Sequence, residues 1–547
     1  MCFNDELENG DALNADLVEA TELNLKRQHN SLAIINRLPD EILQTVFVCL
    51  RASYEDEFKT TIFHYLYVPH WIAITWTCHR FRAISLDYPL LWSHIRDFKR
   101  PWLFAFLERS GVTTLDVKVN AHYHEQLPLE RILQHTSRMR ILNLEGSSRG
   151  MCNQILPLLK HEPACEMRML SLRFDDDYDV DDAAQERAID CLTNAFARQA
   201  PLLRDLSIRC IIPLHSTTSL LSPLLESLDL EGPYTAPNLA SLLQAAAGLR
   251  SLSVRGRIPE SSRASHGPSN ERVPFLSLPR LSSLDIYISF DEQVAHLLHH
   301  LKVPALRFTR LMLTGSANSN LKSGNIDTAF SALSSVLRQS HEGKPFLSVR
   351  LHPVSYSSGF QCVAHLWHSP RAGAETKYSY PHPIKPDAIV DVSPRSSHWT
   401  LPLAVFVPLY KHACNILPLL DVNTLTIEMH YTFTPKQWAD ILRPLARVEH
   451  LKLIGDNLIT VLSALVPTPF IFPNLSRIAV HLSEKALRNN AFLPELVDVG
   501  KTRADVQRLA IAFEDCARGY AYYYRTIGKF AKVTWRSSKS KGRRSPD

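Results

Sequence analysis

The sequence predicts an α/β protein in which a short N-terminal helical module precedes a long array of parallel strands and return helices. Three observations support this prediction. The chain has 547 residues, which is too long for one compact core. Apolar residues recur at helical spacing just after residue 40, and a six-residue apolar-x-x-Leu-x-apolar unit recurs beyond residue 100.

Changes in the character of the sequence predict the boundaries of the units. The first residues are polar with leucines at helical spacing, which fits either a marginal helix or a solvated extension. Aromatic, proline and histidine residues later interrupt the repeats, and basic residues fill the end of the chain. The expected organisation is an N-terminal extension at 1–33, a helical module at 34–98, a repeat array at 99–496 with an irregular insertion at 359–410, a C-terminal helical cap at 497–534 and a disordered basic tail at 535–547.

The helical module opens with a helix-start signal. Pro39 suits the first helical turn, where its missing N–H costs nothing, and Asp40 and Glu41 suit the positive end of the helix dipole. An apolar stripe at intervals of three and four residues follows, formed by Ile42, Leu43, Val46, Phe47 and Leu50. Four downstream aromatic residues are predicted to be internal core, namely Trp71, Trp76, Phe81 and Trp92. The intervening segment, 51–70, has no assignment.

The six-residue unit predicts a repeat architecture. Its central residues are Leu115, Leu142, Leu170, Leu206, Leu228, Leu252, Leu284, Leu311, Val349, Leu425, Leu451 and Ile478. The first eight lie about 22 to 36 residues apart, which overlaps the period of leucine-rich repeats. One such unit alone fits an ordinary amphipathic strand, but a dozen favour units that bury their leucines against one another. The prediction is a leucine-rich-repeat-like solenoid, with parallel strands on its concave face and helices on its convex face.

The sequence contains no signature of catalysis or of a cofactor. Phosphate-binding loops and nucleophile elbows are absent, and the acidic run around Asp177 lacks the glycine and glutamate of a calcium loop. The ten cysteines are scattered, and His122, His124, His299 and His300 have no ligand set at metal spacing. We therefore expect a non-enzyme with no catalytic residues, metal or cofactor.

Charge and targeting features point to a soluble protein. The 60 basic and 55 acidic residues give a net charge of +5, which predicts neither nucleic-acid nor membrane binding. The first residues lack the pattern of a signal peptide, and no apolar run is long enough to cross a membrane. We expect cytoplasmic and/or nuclear localisation.

The helical module resembles an F-box. The resemblance rests on Leu38-Pro39-Asp40-Glu41-Ile42-Leu43, on Cys78-His79-Arg80-Phe81-Arg82 and on the closing Leu91-Trp92. The family pattern opens with Leu-Pro-x-Glu-Ile/Leu-Leu and closes with Cys-Arg-x-Trp-Arg and Leu-Trp, so His79 and Phe81 depart from it. Fungal F-box proteins with an N-terminal coil and a repeat domain behind the box are similar in layout.

The resemblance implies an adaptor. Such proteins dock a Skp-type linker, which joins them to a cullin–RING ubiquitin ligase of the SCF type, and hold a target through the repeats. The linker-binding candidates are Leu38, Pro39, Ile42, Leu43 and Val46. The candidate target-facing residues are Arg204, Asp205, Glu226, Arg250, Thr309, Arg310, Glu449, His450 and Arg477. One alternative is that the apolar residues of the module cap the first repeat, and another is a repeat scaffold that engages no ligase.

Overall fold

The computed structural model describes most of the chain. The described residues are 5–57, 70–96, 100–120, 129–175, 181–210, 212–256, 275–289, 292–315, 323–339, 344–356, 359–369, 388–394, 410–411, 413–429, 433–455, 458–467, 470–482, 492–504, 506, 508–514 and 525–536. The chain divides into two compact units, Met1–Leu224 and Leu225–Asp547. Both are mixed α/β, with parallel strands and many helices, which confirms the predicted class.

The first unit begins with helices and continues into a parallel sheet. Its helices are α1 (Asp5–Leu32), α2 (Asp40–Glu57), α3 (Ile74–Thr77), α4 (His79–Leu86), α5 (Arg100–Arg109), α6 (Leu129–Leu133), α7 (Ser148–Gly150) and α8 (Asp182–Thr193). Its strands are β1 (His94–Ile95), β2 (Leu115–Asn120), β3 (Met139–Ser147), β4 (Met169–Asp175) and β5 (Asp205–Arg209). Each strand pairs in parallel with the next one along the chain.

The second unit contains the remaining elements. Its strands are β6 (Ser227–Gly232), β7 (Ser251–Gly256), β8 (Leu276–Ser277), β9 (Ser283–Ser289), β10 (Leu301–Lys302), β11 (Phe308–Gly315), β12 (Ser348–Tyr356), β13 (Gly359–Trp367), β14 (Ala388–Pro394), β15 (Thr424–Met429), β16 (His450–Gly455), β17 (Arg477–His481), β18 (Ala510–Glu514) and β19 (Lys532–Arg536). Its helices are α9 (Ala236–Ala245), α10 (Glu292–His299), α11 (Ser323–Gln339), α12 (Pro435–Leu442), α13 (Ile459–Leu465) and α14 (Leu493–Ala504).

Parallel pairing in the second unit is interrupted once. Strands β6, β7, β9, β11 and β14 form one parallel run, and β12 with β15 to β19 forms another. Between them β13 is antiparallel to both β12 and β14. The predicted irregular insertion at 359–410 therefore supplies two strands of the sheet, while its Tyr378–Pro383 segment lies outside the described residues.

A backbone motif marks the entry to successive strands. The Glu226 carbonyl accepts hydrogen bonds from the N–H groups of Arg250 and Ser251, at 2.7 and 2.9 Å. The Arg250 carbonyl accepts in the same way from Ser282 and Ser283. The next strand starts where these two hydrogen bonds to one carbonyl are made. The motif therefore fixes the parallel register from one strand to the next.

Local side chains fix where several helices begin. The Asp181 carboxylate accepts from the Ala184 N–H at 2.6 Å and starts α8. Thr434 and Gln437 form a capping box at α12, in which each side chain bonds the other residue's backbone. Asp181 belongs to the acidic run whose middle, 176–180, lies outside the described residues, so capping is the role the structure shows for its end.

The C-terminal part differs from the prediction. We expected a helical cap at 497–534, but α14 ends at Ala504 and β18 and β19 follow as parallel strands. The physical reason is the alternation at Ile511 and Phe513, whose side chains are buried as in the preceding strands. The basic tail beyond residue 536 lies outside the described residues.

Candidate protein-interaction surfaces

Helix α2 has one apolar face buried and a second apolar face exposed. Leu43 and Phe47 are buried, and the Phe47 ring meets Phe81 edge-on at 5.3 Å between centroids. Ile42 and Val46 keep 48% and 41% of their surface accessible, although each follows or precedes a buried residue. A helix in a small module needs only one apolar face for its own core, so the second face is surplus to folding.

The exposed face extends beyond these two residues. Leu38, Pro39 and Leu50 are also exposed. Ile42, Val46 and Leu50 follow at intervals of four along one side of α2, and Leu38 lies in the extended segment just before the helix. We call Leu38, Ile42, Val46 and Leu50 the α2 stripe. Of the predicted linker-binding residues, Leu43 does not belong to it, because the side chain is 0% exposed and supports the helix from behind. The stripe is uncovered by the residues of its own module.

Arg80 holds the segment that leads into α2. Its guanidinium donates to the carbonyl oxygens of Asn36 and Leu38, the latter at 2.7 Å, and to the Asp40 carboxylate at 2.5 Å. These charge-assisted bonds fix the backbone from which Leu38 projects. Pro39 accepts from Ile42 and Leu43 through its carbonyl and so lies at the cap of α2 rather than in its first turn. The prediction assigned Arg80 no role, although it lies within the Cys78–Arg82 motif.

Arg51 anchors the far end of α2. Its side chain is buried and donates to the carbonyl oxygens of Leu90 and Leu91 at 2.7 and 3.2 Å. Another guanidinium nitrogen lies 3.1 Å from Nε2 of His94 in β1. The sequence signal was its position, since Leu43, Phe47 and Arg51 follow at intervals of four on the buried face. Arg51 lies in the segment 51–70, for which the sequence pattern predicts no element.

Three of the four aromatic residues predicted to be core are buried, namely Trp71, Phe81 and Trp92. Trp71, Trp92 and Phe106 are buried and meet edge-on, with centroids 5.0 to 5.8 Å apart. The Trp92 indole N–H donates to the Ser85 carbonyl at 2.7 Å, which satisfies its one polar atom. Trp76 was predicted to be core and is 65% exposed, because it lies on the outer side of the short helix α3.

A polar chain continues from the module into the sheet of the first unit. Asp116 in β2 is almost fully buried and accepts from Arg140 at 2.9 and 2.5 Å. Nε2 of His94 lies 3.4 Å from the same carboxylate. The hydrogen bond to Asp116 raises the pKa of Arg140 above its ordinary value. This bidentate contact fixes β1 to β3 relative to one another.

The predicted target-facing residues occupy different places. Arg204, Arg250, Arg310 and Glu449 are exposed, and Asp205, Glu226, His450 and Arg477 are half-buried. Thr309 is 0% exposed, which overturns its assignment. The register pairs Thr309 with Leu284 and Leu311 with Ile286, so Thr309 occupies a leucine position of β11. The predicted unit at 308–313 was therefore displaced by two residues, and the true one starts at Leu306.

A cluster of opposite charges was not predicted. Asp285 of β9 pairs in register with Ser253 of β7 and Arg310 of β11. Burial raises the pKa of Asp285, an effect that the positive charges of Arg310 and Arg255 oppose and the negative charge of Asp229 reinforces. The strand register brings these side chains together on the face opposite the leucines. In the sequence, Asp229 and Asp285 each stand between two apolar residues of a strand, and this polar position indicates the face opposite the leucines.

The described residues yield no metal cluster and no membrane span. Among them, no group of three or more His, Cys, Asp or Glu side chains is arranged to hold an ion, and His122 and His124 lie outside them. The rings of His299 and His300 lie next to each other, with centroids 6.4 Å apart. The Phe275 ring lies against His300 in a tilted arrangement, with 4.7 Å between the ring centroids. No helix within the described ranges combines the length and apolar character that a membrane crossing requires.

Among solved structures, the match described below is weak. Neither a family model nor a curated protein matches the chain. A crystal structure of the Rad7 and Elc1 complex in yeast is matched over 98% of this chain and 96% of that chain, at 11% identity and a TM-score of 0.25. A TM-score this low does not establish a shared fold.

Proposed function

We propose that this chain is a substrate-recognition adaptor of a cullin–RING ubiquitin ligase of the SCF type. The α2 stripe docks a Skp-type linker, and the parallel strands belong to a leucine-rich-repeat solenoid whose concave face binds a target protein. The adaptor performs no catalysis itself and acts in the cytoplasm or nucleus, where free thiols such as those of Cys49, Cys152 and Cys191 persist.

The α2 stripe is the observation that carries the proposal. Ile42 and Val46 lie 41–48% exposed on a helix whose opposite face is already packed. Burial of an aliphatic side chain stabilises a complex by about 1.5–3 kcal/mol at most, so a few such residues suffice for a stable interface core. Arg80 and Arg51 hold the two ends of α2 to the remainder of the module, which presents the stripe on a rigid support.

The sheet supports the second half of the proposal. Leucine-type side chains face one side of successive parallel strands, and half-buried polar side chains such as Ser253 and Asp285 face the other. Helices that follow the strands contact one another, as α9 does α10 and α10 does α11. A strand layer with an open polar face and a helical layer behind it is the arrangement that repeat proteins use to bind partners.

Co-expression with a Skp-type linker tests the docking half. The full-length chain is expected to co-purify with the linker, and Ile42→Asp with Val46→Asp is expected to abolish co-purification. Val112→Asp is the matched control, because Val112 is 96% exposed in a loop outside the stripe. All variants should keep the circular dichroism of the wild type, since the substituted side chains are exposed.

Two outcomes contradict the proposal. If the folded wild-type chain captures no linker, the ligase role is wrong, and the alternative of a repeat scaffold without ligase engagement remains. If Ile42→Asp with Val46→Asp captures the linker as well as Val112→Asp does, docking uses another surface. Replacement of Leu38 and Pro39 by aspartate provides an independent test of the same surface.

A further inference from the structure

A polar cavity lies on the helical side of the second unit, away from the strands. It has a volume of about 350 Å³ and is open to solvent. Its lining includes the polar side chains of His299, Ser331, Ser334, Ser335, Arg338 and Asn415. This volume is at the lower end of the range of small-molecule sites, about 300–1,000 Å³. Neither the docking surface nor the sheet face includes any of these residues.

One turn-by-turn stripe of α11 supplies most of the lining. Ser331, Ser334, Ser335 and Arg338 follow at intervals of three and four, so their side chains share one side of the helix. The Gln339 amide donates to the Ser335 hydroxyl at 3.3 Å and fixes that group. His299 comes from the end of α10, which packs directly against α11. The cavity is thus built on two helices in contact rather than on loops.

Ser334 is the residue whose state points to a ligand. It is only 4% exposed, yet its hydroxyl has no hydrogen-bond partner. A serine inside a helix usually bonds back to the carbonyl one turn earlier, and a buried hydroxyl left unpaired costs about 1–3 kcal/mol. Ser334 lines the cavity, and rotation about its χ1 torsion would turn the hydroxyl, whose oxygen is occluded in the rotamer shown, toward a group bound there.

The charges of the cavity indicate the kind of group. Arg338 forms no ion pair within the described part of the chain, and none of the described side chains that line the cavity is a carboxylate. The lining therefore offers guanidinium, hydroxyl, amide and imidazole donors with one net positive charge. The C-terminal end of α11 adds a partial negative charge of about one half, which the full charge of Arg338 exceeds.

We propose that this cavity binds a tetrahedral oxyanion, specifically a phosphate group. Arg338 supplies a planar pair of donors, Ser331, Ser334 and Ser335 supply hydroxyl donors, and Asn415 and His299 supply an amide and an imidazole donor. Phosphate needs several convergent donors and one cation, and serine, asparagine and arginine side chains provide them. The site is independent of the α2 stripe, and its ligand is either free phosphate or a phosphate carried on another molecule.

Thermal unfolding and calorimetric titration of the full-length chain test the site. Inorganic phosphate is expected to raise the unfolding midpoint relative to potassium chloride at equal ionic strength. Arg338→Gln should weaken phosphate binding about tenfold or more, and Ser334→Ala about three- to tenfold. O-phosphoserine is the second probe. Binding of both probes assigns a site for phosphate in general, and binding of O-phosphoserine alone assigns a site for a carried phosphate.

Arg443→Gln is the matched control. Arg443 is also an exposed arginine at the C-terminal end of a helix, α12, but it does not line the cavity. It should leave phosphate binding unchanged. Equal loss in Arg443→Gln and Arg338→Gln, or binding of neither inorganic phosphate nor O-phosphoserine to the wild-type chain, would each overturn the proposal. Linker capture should be unaffected by Arg338→Gln, so failure here is distinct from failure of the docking proposal.

Discussion

Two groups of strands in the second unit both bury the apolar residues that flank their middle residue, and they differ on the opposite face. In β7 the outer residues Ser251, Ser253 and Arg255 are partly accessible while Leu252 and Val254 are buried. In β17 and β18 the outer residues Ala479 and Ala512 are as buried as the apolar residues beside them. The first group has one buried face and the second has two.

The difference shows that a Leu-x-Leu unit specifies one face of a strand only. The middle residue decides the other face, and it is serine or aspartate in β6, β7 and β9 but alanine in β17 and β18. A charged residue can also be buried in the second parallel run when it is paired: Glu428 of β15 forms an ion pair with Arg350 of β12 at 2.5 Å. Strands buried on both faces have nearly continuous apolar runs. Residues 451–454 of β16 are all buried, and Lys452 is the polar residue among them.

A lysine at the middle position should have the largest effect on the contrast. Ala512→Lys places a charge where the wild-type side chain is 1% exposed. An unpaired buried charge costs about 3–5 kcal/mol, so the urea midpoint should fall sharply. Ser253→Lys, at the equivalent position of β7, should change stability by less than about 0.5 kcal/mol. Similar losses in both variants would contradict the distinction between the two groups.

Thr309 offers a test of the leucine face. Its hydroxyl is buried without a hydrogen-bond partner, in the column occupied by Leu284. Thr309→Val keeps the shape and removes the unsatisfied group, so the free energy of unfolding should rise by about 1 kcal/mol. Thr309→Ser keeps the hydroxyl and loses a methyl group, and should lower it. A loss of stability in Thr309→Val would show that the hydroxyl is satisfied and the register argument incomplete.

The charge cluster of the open face predicts a pH dependence. The pKa of Asp285 is raised by burial, so its ionisation disfavours the fold. The contribution of Asp285 to the free energy of unfolding is fully present below its unfolded-state pKa, where the carboxyl is protonated. That contribution is lost as the pH rises through the folded-state pKa of Asp285. Asp285→Asn should therefore gain stability relative to wild type as the pH rises through the range that begins at the ordinary aspartate pKa of about 3.9. Thermal unfolding across that range measures the difference, and a constant difference would contradict the assignment.

The smallest effect is expected at an exposed ion pair of the open face. Arg250 and Glu226 approach to 3.8 Å with side chains 63% and 38% exposed. Solvent screening limits such pairs to about 0–1 kcal/mol, so Arg250→Ala should shift the unfolding midpoint little. If the open face binds the target, the same variant should weaken target capture measurably. A large loss of stability would place Arg250 within the core architecture instead.

Most repeat units were predictable because they depend on local alternation. Leucines such as Leu228, Leu252 and Leu284 are buried and aligned, as the six-residue unit predicts. The failure at 308–313 has a clear cause. Phe308 and Leu311 satisfy the pattern, but pairing with β9 selects the frame that begins two residues earlier, at Leu306. Register depends on the neighbouring strand, which no local pattern contains.

The α2 stripe was predictable in part. The sequence pattern identified the apolar residues of α2, but not which of them face the core, because helical spacing puts Leu43 and Ile42 on adjoining parts of one broad stripe. Packing of Leu43 and Phe47 in the core leaves Ile42 and Val46 outside. The supporting contacts of Arg51 and Arg80 join residues about 40 positions apart and could not be inferred from spacing.

The sequence by itself determined the α/β class, the helical module, and the succession of amphipathic strands, because these follow from periodicities of a few residues. Tertiary structure decided the remainder. It selected the frame of β11, inserted β13 antiparallel into the sheet, continued the strands through Arg536 and buried the second face of β17 and β18. Each of these depends on contacts between residues far apart in the chain, whose free energies exceed those of local preference.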